Sequence, residues 1–184
     1  QAVSNPEQIV SPIIGEGAVF YAAELGGRVY RIDPETGSTV WTFEIGAQIY
    51  STPAYHKGRL FVGSTNGTFH ALRAETGEEI YSIYHGTGLR AAPLVVDGVL
   101  VNGSPVDMLV LNMGFPAQEI RAYNAKTGEF LWAGSPGLAI QSLSTPTFHK
   151  GSGYERIIVG DDSGRWHCYE AATGQKVWNY KAGS

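Results

Sequence analysis

The sequence predicts an all-β fold, a β-propeller built of four-stranded antiparallel blades, with four blades in this chain. One short motif recurs four times in the 184 residues, and its glycines are 40, 51 and 46 residues apart. Short runs rich in aromatic and β-branched residues lie between glycine-containing turns, which is typical of strands joined by hairpins. A repeat of this length indicates a propeller, a solenoid or an array, and four short strands per repeat describe a propeller blade.

Each motif combines a Thr-Gly turn with a large aromatic residue four positions after the glycine. Glycine suits this turn because it adopts the left-handed backbone conformation without strain. We expect the aromatic ring to lie on the outermost strand and to pack between blades, where its burial contributes about 2–3 kcal/mol. The four pairs are Gly37 and Trp41, Gly77 and Tyr81, Gly128 and Trp132, and Gly174 and Trp178.

The second copy shows the expected order of strands within a blade. Pro53 stands at the start of the first strand, where its missing N–H is tolerated. Apolar runs such as 157–159 are expected because a blade between two neighbours buries both of its faces. The predicted strands of this copy are 53–55, 59–63, 68–73 and 79–83. We place a lead-in segment at 1–10 and blades at about 11–46, 47–86, 87–137 and 138–184.

Composition excludes several classes of function. The formal net charge is -4, from 13 basic and 17 acidic residues, and no stretch concentrates Lys or Arg as a nucleic-acid partner would require. No apolar run approaches the ~20 residues that span a bilayer, so no membrane span is predicted. The single Cys168 excludes an internal disulfide framework and a cysteine-rich zinc site.

The third copy carries about eleven extra residues, within 104–118. Insertions between strands emerge at the rim of a propeller, where binding loops usually lie. An exposed loop this apolar would normally be covered by a partner, and methionine suits an adaptable binding surface. The alternative is that the segment folds back over its own propeller. The candidate partner-binding residues are Met108, Leu109, Leu111, Met113 and Phe115.

Two repeated polar patterns have a simpler interpretation than a metal site. The His-Lys-Gly segments 56–58 and 149–151 occupy the same hairpin turn in two blades, and we interpret them as solvated turns. His70 and His167 share a position on the third strand. They could be metal ligands, but packing between blades or a satisfied buried histidine is favoured.

Two further local patterns also favour turns. The segment 161–164 resembles the start of a calcium loop, but Ala172 stands where such a loop uses a bidentate acid. The segments 66–68 and 102–104 match the acceptor pattern for N-glycosylation, and both coincide with predicted turns that need Asn-Gly for backbone reasons.

The repeats resemble a known family. The segments 27–33, 35–37 and 40–41, with 164–170, 173–174 and 177–178, closely resemble the tryptophan-docking repeat of the pyrroloquinoline-quinone-type (PQQ-like) β-propellers. The resemblance covers residues 11–183. Two departures stand out: Tyr81 replaces tryptophan in the second copy, and Gln118 replaces the glycine that opens the third strand in the third copy.

The resemblance implies two contrasting kinds of function. The family includes quinoprotein dehydrogenases, which hold PQQ and Ca²⁺ on the propeller axis. It also includes non-catalytic members, such as the outer-membrane-protein assembly lipoprotein, and sensor domains of larger enzymes. The alcohol dehydrogenases use a vicinal pair of cysteines, which this chain lacks because Cys168 stands alone. We therefore predict no cofactor, and PQQ with calcium only under the dehydrogenase alternative.

Closed rings of the family have seven or eight blades, so four blades are expected to form half or a fragment of a ring. Such a fragment exposes two apolar blade faces. We therefore expect a non-catalytic binding scaffold that self-associates or completes a larger propeller, with a protein or polysaccharide partner at its loop rim. The resemblance implies a periplasmic or extracellular location. The alternatives are a segment of a PQQ-dependent dehydrogenase and a ligand-sensing domain of a larger enzyme.

Overall fold

A computed structural model describes residues 10–23, 25–113, 117–136 and 144–181. Within these residues the chain forms sixteen strands in four separate sheets, each of four strands. Every sheet keeps its strands in sequence order, and all neighbouring strands are antiparallel. The predicted all-β fold with four-stranded blades is confirmed.

The strands are short, and most connections are tight turns. The first blade comprises β1 (Ile13–Gly15), β2 (Ala18–Ala23), β3 (Arg28–Ile32) and β4 (Thr39–Glu44). The second comprises β5 (Ala54–His56), β6 (Arg59–Gly63), β7 (Thr68–Arg73) and β8 (Glu79–Tyr84). The third comprises β9 (Leu94–Val101), β10 (Ser104–Met113), β11 (Glu119–Asn124) and β12 (Phe130–Gly134). The fourth comprises β13 (Thr147–Gly151), β14 (Tyr154–Gly160), β15 (Arg165–Glu170) and β16 (Lys176–Lys181).

The hydrophobic core lies between blades. Three clusters of buried side chains fill the three junctions between consecutive sheets. Phe20 of the first blade meets Leu60 of the second, and Phe69 of the second shares a cluster with Leu109 of the third. The second and third blades are therefore covered on both faces, which explains why their middle strands are apolar runs rather than alternating ones.

The part of the third-blade insertion that the structure describes lengthens a hairpin as a strand. Residues 104–113 form β10, which pairs with β9 on one side and β11 on the other, with a bulge between Val106 and Met108. Successive side chains point to opposite faces of a strand, and here both faces are covered by neighbouring blades. The candidate partner-binding residues Met108, Leu109, Leu111 and Met113 are consequently buried.

The prediction of an exposed binding loop is therefore wrong for those four residues. They belong to the core because a central strand of an inner blade packs on both sides. The fifth candidate, Phe115, lies outside the described residues. The apolar residues 108–113 are buried between blades as a strand of the sheet, and not as a loop folded back over the propeller.

The exposed apolar side chains of the lengthened hairpins lie near their tips. Leu100, at the end of β9, is 59% exposed, and Tyr154, at the start of β14, is 42% exposed. Arg156 stacks over the Tyr154 ring with its guanidinium carbon 5.0 Å from the ring centroid. The first two blades have shorter hairpins at this position, so the third and fourth blades alone carry these projections.

Candidate binding surfaces at the blade faces

Each Thr-Gly turn closes in the same way. The N–H of Gly37 donates to the carbonyl of Asp33, and the three later glycines make the equivalent bond to Arg73, Asn124 and Glu170, at 2.8–2.9 Å. All four glycines have a positive φ, between 70° and 77°. A glycine at this position has no side chain, so another group can approach its backbone closely.

Three aromatic residues dock on the turn of the following blade. The Trp41 indole donates from Nε1 to the carbonyl of Ala74 at 3.1 Å. A Cβ placed on Gly77 would lie 2.7 Å from the Trp41 ring, so the ring rests directly on that glycine. Each junction between blades therefore combines a stacking contact with a hydrogen bond.

The other two junctions repeat this arrangement. Tyr81 donates from its hydroxyl to the carbonyl of Ala125 at 3.0 Å and covers Gly128. Trp132 donates from Nε1 to the carbonyl of Ala171 at 2.8 Å and covers Gly174. Tyrosine in the second copy thus makes the same two contacts as tryptophan elsewhere.

The fourth aromatic residue does not dock on any turn of the described chain. Trp178 is 43% exposed, whereas Trp132 is 5% exposed. Trp166 and Tyr180, on the same face of the fourth blade, are 46% and 62% exposed. We call these three residues the C-terminal open face. A groove of about 310 Å³, lined by Gly160, Arg165 and Trp166 among others, lies on it.

Within the part of the chain that the structure describes, nothing covers the first Thr-Gly turn. A Cβ placed on Gly37 would meet no atom of the described residues within 4 Å, in contrast to the other three turns. Ile14 and Tyr21, on the same face of the first blade, are 79% and 37% exposed. We call Ile14, Tyr21 and Gly37 the N-terminal open face. The two open faces carry the same repeat positions that fill the internal junctions.

A charged cluster links the second blade to the lengthened hairpin of the third. Lys57 Nζ lies 2.6 Å from Asp97 Oδ1 and 2.9 Å from Asp107 Oδ2. His56 Nε2 lies 3.1 and 3.3 Å from the same two carboxylate oxygens. The Lys57 ammonium holds the pKa of Asp107 at about 2, with smaller contributions from His56 and the Gly98 N–H. The first His-Lys-Gly turn therefore takes part in a junction between blades.

The same cluster contains possible metal ligands. Among the described residues, His56, Asp97 and Asp107 form the one group of three potential ligands that approach each other closely. Calcium takes six to eight oxygen ligands, whereas this group offers two carboxylates and a nitrogen, with an ammonium group already bound to both carboxylates. The residues present therefore do not fit a calcium centre.

The paired histidines lie in separate blades and bind carboxylates of their own blade. His70 Nδ1 is 2.6 Å from Glu79 Oε2, and the ring packs edge-on against Phe43 of the first blade. His167 Nε2 is 2.6 Å from Asp161 Oδ2. Each histidine therefore has its own carboxylate partner, His70 also packs between blades, and the two positions do not share a ligand set.

The segment that resembles a calcium loop is an organised turn. Burial acts to raise the pKa of Asp161, but hydrogen bonds from His167, from Ser163 and from the Arg165 N–H outweigh burial and hold it at about 2. Asn66 plays a similar part in the second blade, where its side-chain oxygen accepts from Ser64 Oγ and from the Thr68 N–H.

Cys168 lies on the buried middle of β15, and burial raises the pKa of its thiol. A raised pKa keeps the thiol protonated and poorly nucleophilic. As the only cysteine of the chain, it cannot form the vicinal pair of the quinoprotein alcohol dehydrogenases.

Repeated blades joined by docking aromatics define a propeller of the PQQ-like class. The family model described as outer membrane protein assembly factor BamB matches residues 25–184, and the chain belongs to this family. The described residues contain no helix with the length and apolar character needed to cross a membrane.

Curated relatives include both scaffold proteins and enzymes. Outer membrane protein assembly factor BamB of Burkholderia pseudomallei is 29% identical over 182 residues, which cover 89% of this chain and 42% of the relative. BamB of Yersinia pestis is 24% identical over 180 residues, which cover 90% and 42%. Quinohemoprotein alcohol dehydrogenase of Comamonas testosteroni is 27% identical over 188 residues, which cover 92% and 25%. The chain thus spans less than half the length of these relatives.

Solved structures show the same fold. BamB from Moraxella catarrhalis superposes with a TM-score of 0.69 at 18% identity, covering 92% of this chain and 47% of that one. The computationally designed Ika8 protein gives a TM-score of 0.70 at 16% identity, covering 92% and 48%.

Proposed function

We propose that this chain is a non-catalytic binding scaffold whose two open blade faces are its principal binding surfaces. The observation that carries this proposal is the exposure of Trp166, Trp178 and Tyr180 on one face, together with the uncovered turn at Gly37 on the other. Aromatic side chains exposed in a contiguous patch are typical of interaction sites in soluble proteins. The chain either self-associates or completes a larger propeller through these faces.

The names of the relatives support a compartment and a kind of partner. Several relatives are named outer membrane protein assembly factors, which supports a protein partner and a periplasmic location for this chain. A polysaccharide partner at the rim is disfavoured because four of the candidate rim residues are buried in β10. The open faces are better suited to protein, because the surfaces that fill the equivalent positions inside the chain are themselves blades.

A photocrosslinking experiment tests the proposal. A crosslinking amino acid replaces Tyr180 on the C-terminal open face, with Tyr84 as the matched control. Tyr84 is 73% exposed on an outer strand but lies on an inner blade. We expect discrete protein adducts from position 180 in the periplasm of a Gram-negative cell and far fewer from position 84. Equal labelling at both positions would contradict the proposal.

The second candidate function is a segment of a quinoprotein dehydrogenase, which the relatives of that name favour. Among the described residues, the poor fit of the His56 cluster to calcium argues against a cofactor site within this chain. Titration of the purified chain with PQQ and Ca²⁺ distinguishes the two. We expect no saturable change in quinone absorbance, whereas stoichiometric binding would favour the dehydrogenase.

A further inference from the structure

The two open faces of this chain are complementary to each other. Among the described residues, the C-terminal open face carries a docking aromatic that meets no turn, and the N-terminal open face carries a turn that meets no aromatic. We propose that two copies of this chain form a closed two-fold ring, in which Trp178 of each copy docks on Gly37 of the other. This inference rests on the proposed function and names the partner as a second copy.

The hydrogen bond of the new junction follows from the repeat. Each docked aromatic donates to the carbonyl of the residue three positions before the glycine, which is Ala74, Ala125 or Ala171. The equivalent residue in the first turn is Pro34. Proline lacks an N–H but keeps its carbonyl, so the acceptor for Trp178 Nε1 is retained.

The apolar residues of the two faces occupy interface positions. Tyr180 aligns with Ile83 of the second blade, which packs in the junction with the third blade. Ile14 pairs with Val19 as Tyr55 pairs with Leu60, and Tyr55 packs in the junction with the first blade. Joining the two open faces would therefore place each side chain where its repeat equivalent already packs between blades.

A closed ring requires that the rotation between blades suit eight blades. A junction between unlike faces closes if the rotation adds to a full turn and otherwise forms open filaments. The four blades superpose on about half of the Moraxella catarrhalis BamB chain and of the designed Ika8 chain, with TM-scores of 0.69 and 0.70. The curvature of this chain therefore matches propellers with about twice as many residues.

Sedimentation equilibrium of the full chain at micromolar concentration tests the inference. We expect twice the 19.8 kDa mass of a single chain. Truncating a central aromatic anchor weakens an interface about 30-fold or more, and W178A removes the anchor from both junctions, so we expect about 1,000-fold weaker association. W178Y should retain association, because Tyr81 already makes the same contacts in the second blade.

A glycine variant tests the other half of the junction. G37A places a methyl group where the Trp178 ring should rest, so it should weaken association about as much as W178A does. Its matched control is G17A, because Gly17 has nearly the same φ (71° against 70°) and its added Cβ also meets nothing within 4 Å. A Cβ added to Gly58, the equivalent residue of the second blade, also meets nothing within 4 Å although that blade has neighbours on both faces, so G17A should leave the pair intact.

Mixing the two single variants gives the sharpest result. W178A keeps a normal Gly37 turn, and G37A keeps Trp178, so one copy of each forms one intact junction. We expect a mixed pair about 30-fold weaker than the wild-type pair and about 30-fold tighter than either variant alone. Near-ultraviolet circular dichroism serves as the control that each variant is folded.

Three outcomes would overturn the inference: a monomeric wild type, a W178A variant that associates normally, or masses that grow without limit. A monomer that still gives adducts with another protein from position 180 would overturn the second copy as partner and leave the proposed function standing. Absence of adducts and of association together would overturn both.

Discussion

Replacing Trp132 by alanine should be one of the most damaging single changes at a blade junction. The ring is 5% exposed, rests on Gly174 and donates a 2.8 Å hydrogen bond to the Ala171 carbonyl. Removing a buried tryptophan costs about 3–5 kcal/mol, and the lost bond adds about 1 kcal/mol. We expect the free energy of unfolding to fall by about 4–6 kcal/mol.

The matched comparison is W178A. Trp178 has the same place in the repeat but is 43% exposed and docks on no described turn. We expect its removal to cost about 1–2 kcal/mol when the chain is a monomer. Urea denaturation, followed by far-ultraviolet circular dichroism at a dilution where sedimentation shows single chains, measures both values. Equal losses for the two variants would refute the docking argument.

Three further changes test the junctions. G128A should cost about 2–3 kcal/mol, because its Cβ would lie 2.8 Å from the Tyr81 ring, whereas G17A, with a similar φ but open space, should cost about 1 kcal/mol in thermal unfolding. Asp107 has a folded pKa of about 2, below its ordinary 3.8, so its contribution is present above pH 4 and is lost as pH falls toward 2. D107N should therefore lower the free energy of unfolding at pH 7 by about 1–2 kcal/mol and reduce its decrease between pH 4 and pH 2. An unchanged urea midpoint at pH 7 would contradict this expectation. Burial and Arg121 lower the pKa of His85 to about 4, so the unfolded chain binds the proton first and stability falls as pH drops from 6.5 to 4. H85Q should reduce the dependence of the free energy of unfolding on pH in this range, which is at most about 1.4 kcal/mol per pH unit for one group. A dependence equal to that of the wild type would contradict the assignment to His85.

The sequence predicted the fold well because the repeat is encoded locally. The predicted strands of the second copy match β5–β8 to within a residue at each end. Turn glycines and short β-rich runs specify hairpins without any distant contact. The positions of the docking aromatics follow from the same local spacing.

The insertion was harder to predict because its burial depends on distant blades. An apolar run such as 108–113 is equally consistent with a covered loop and with an inner strand, and only the neighbours decide. The β10 strand lies inside because the second and fourth blades cover its two faces. Leu100 is the exposed apolar residue of this hairpin, and no signal in the sequence distinguished it from the buried ones.

The charged junction was also missed. Lys57 lies in a turn that looks solvated, and Asp97 and Asp107 lie about 40 and 50 residues further along the chain. Pairing across this separation depends on the register of the β9–β10 hairpin, including its bulge. A hairpin register is set locally, but the packing that brings Lys57 of the second blade to this hairpin is not.

Hydrogen exchange of the tryptophan indole N–H groups, followed by NMR at two protein concentrations, tests the central claim most directly. Trp41 and Trp132 should exchange slowly at both concentrations, because each donates to the carbonyl of the next blade. Trp178 should exchange quickly in dilute solution and slowly in concentrated solution, where a second copy supplies the Pro34 carbonyl. Fast exchange at Trp178 in concentrated solution, or fast exchange at Trp41 and Trp132, would contradict the account.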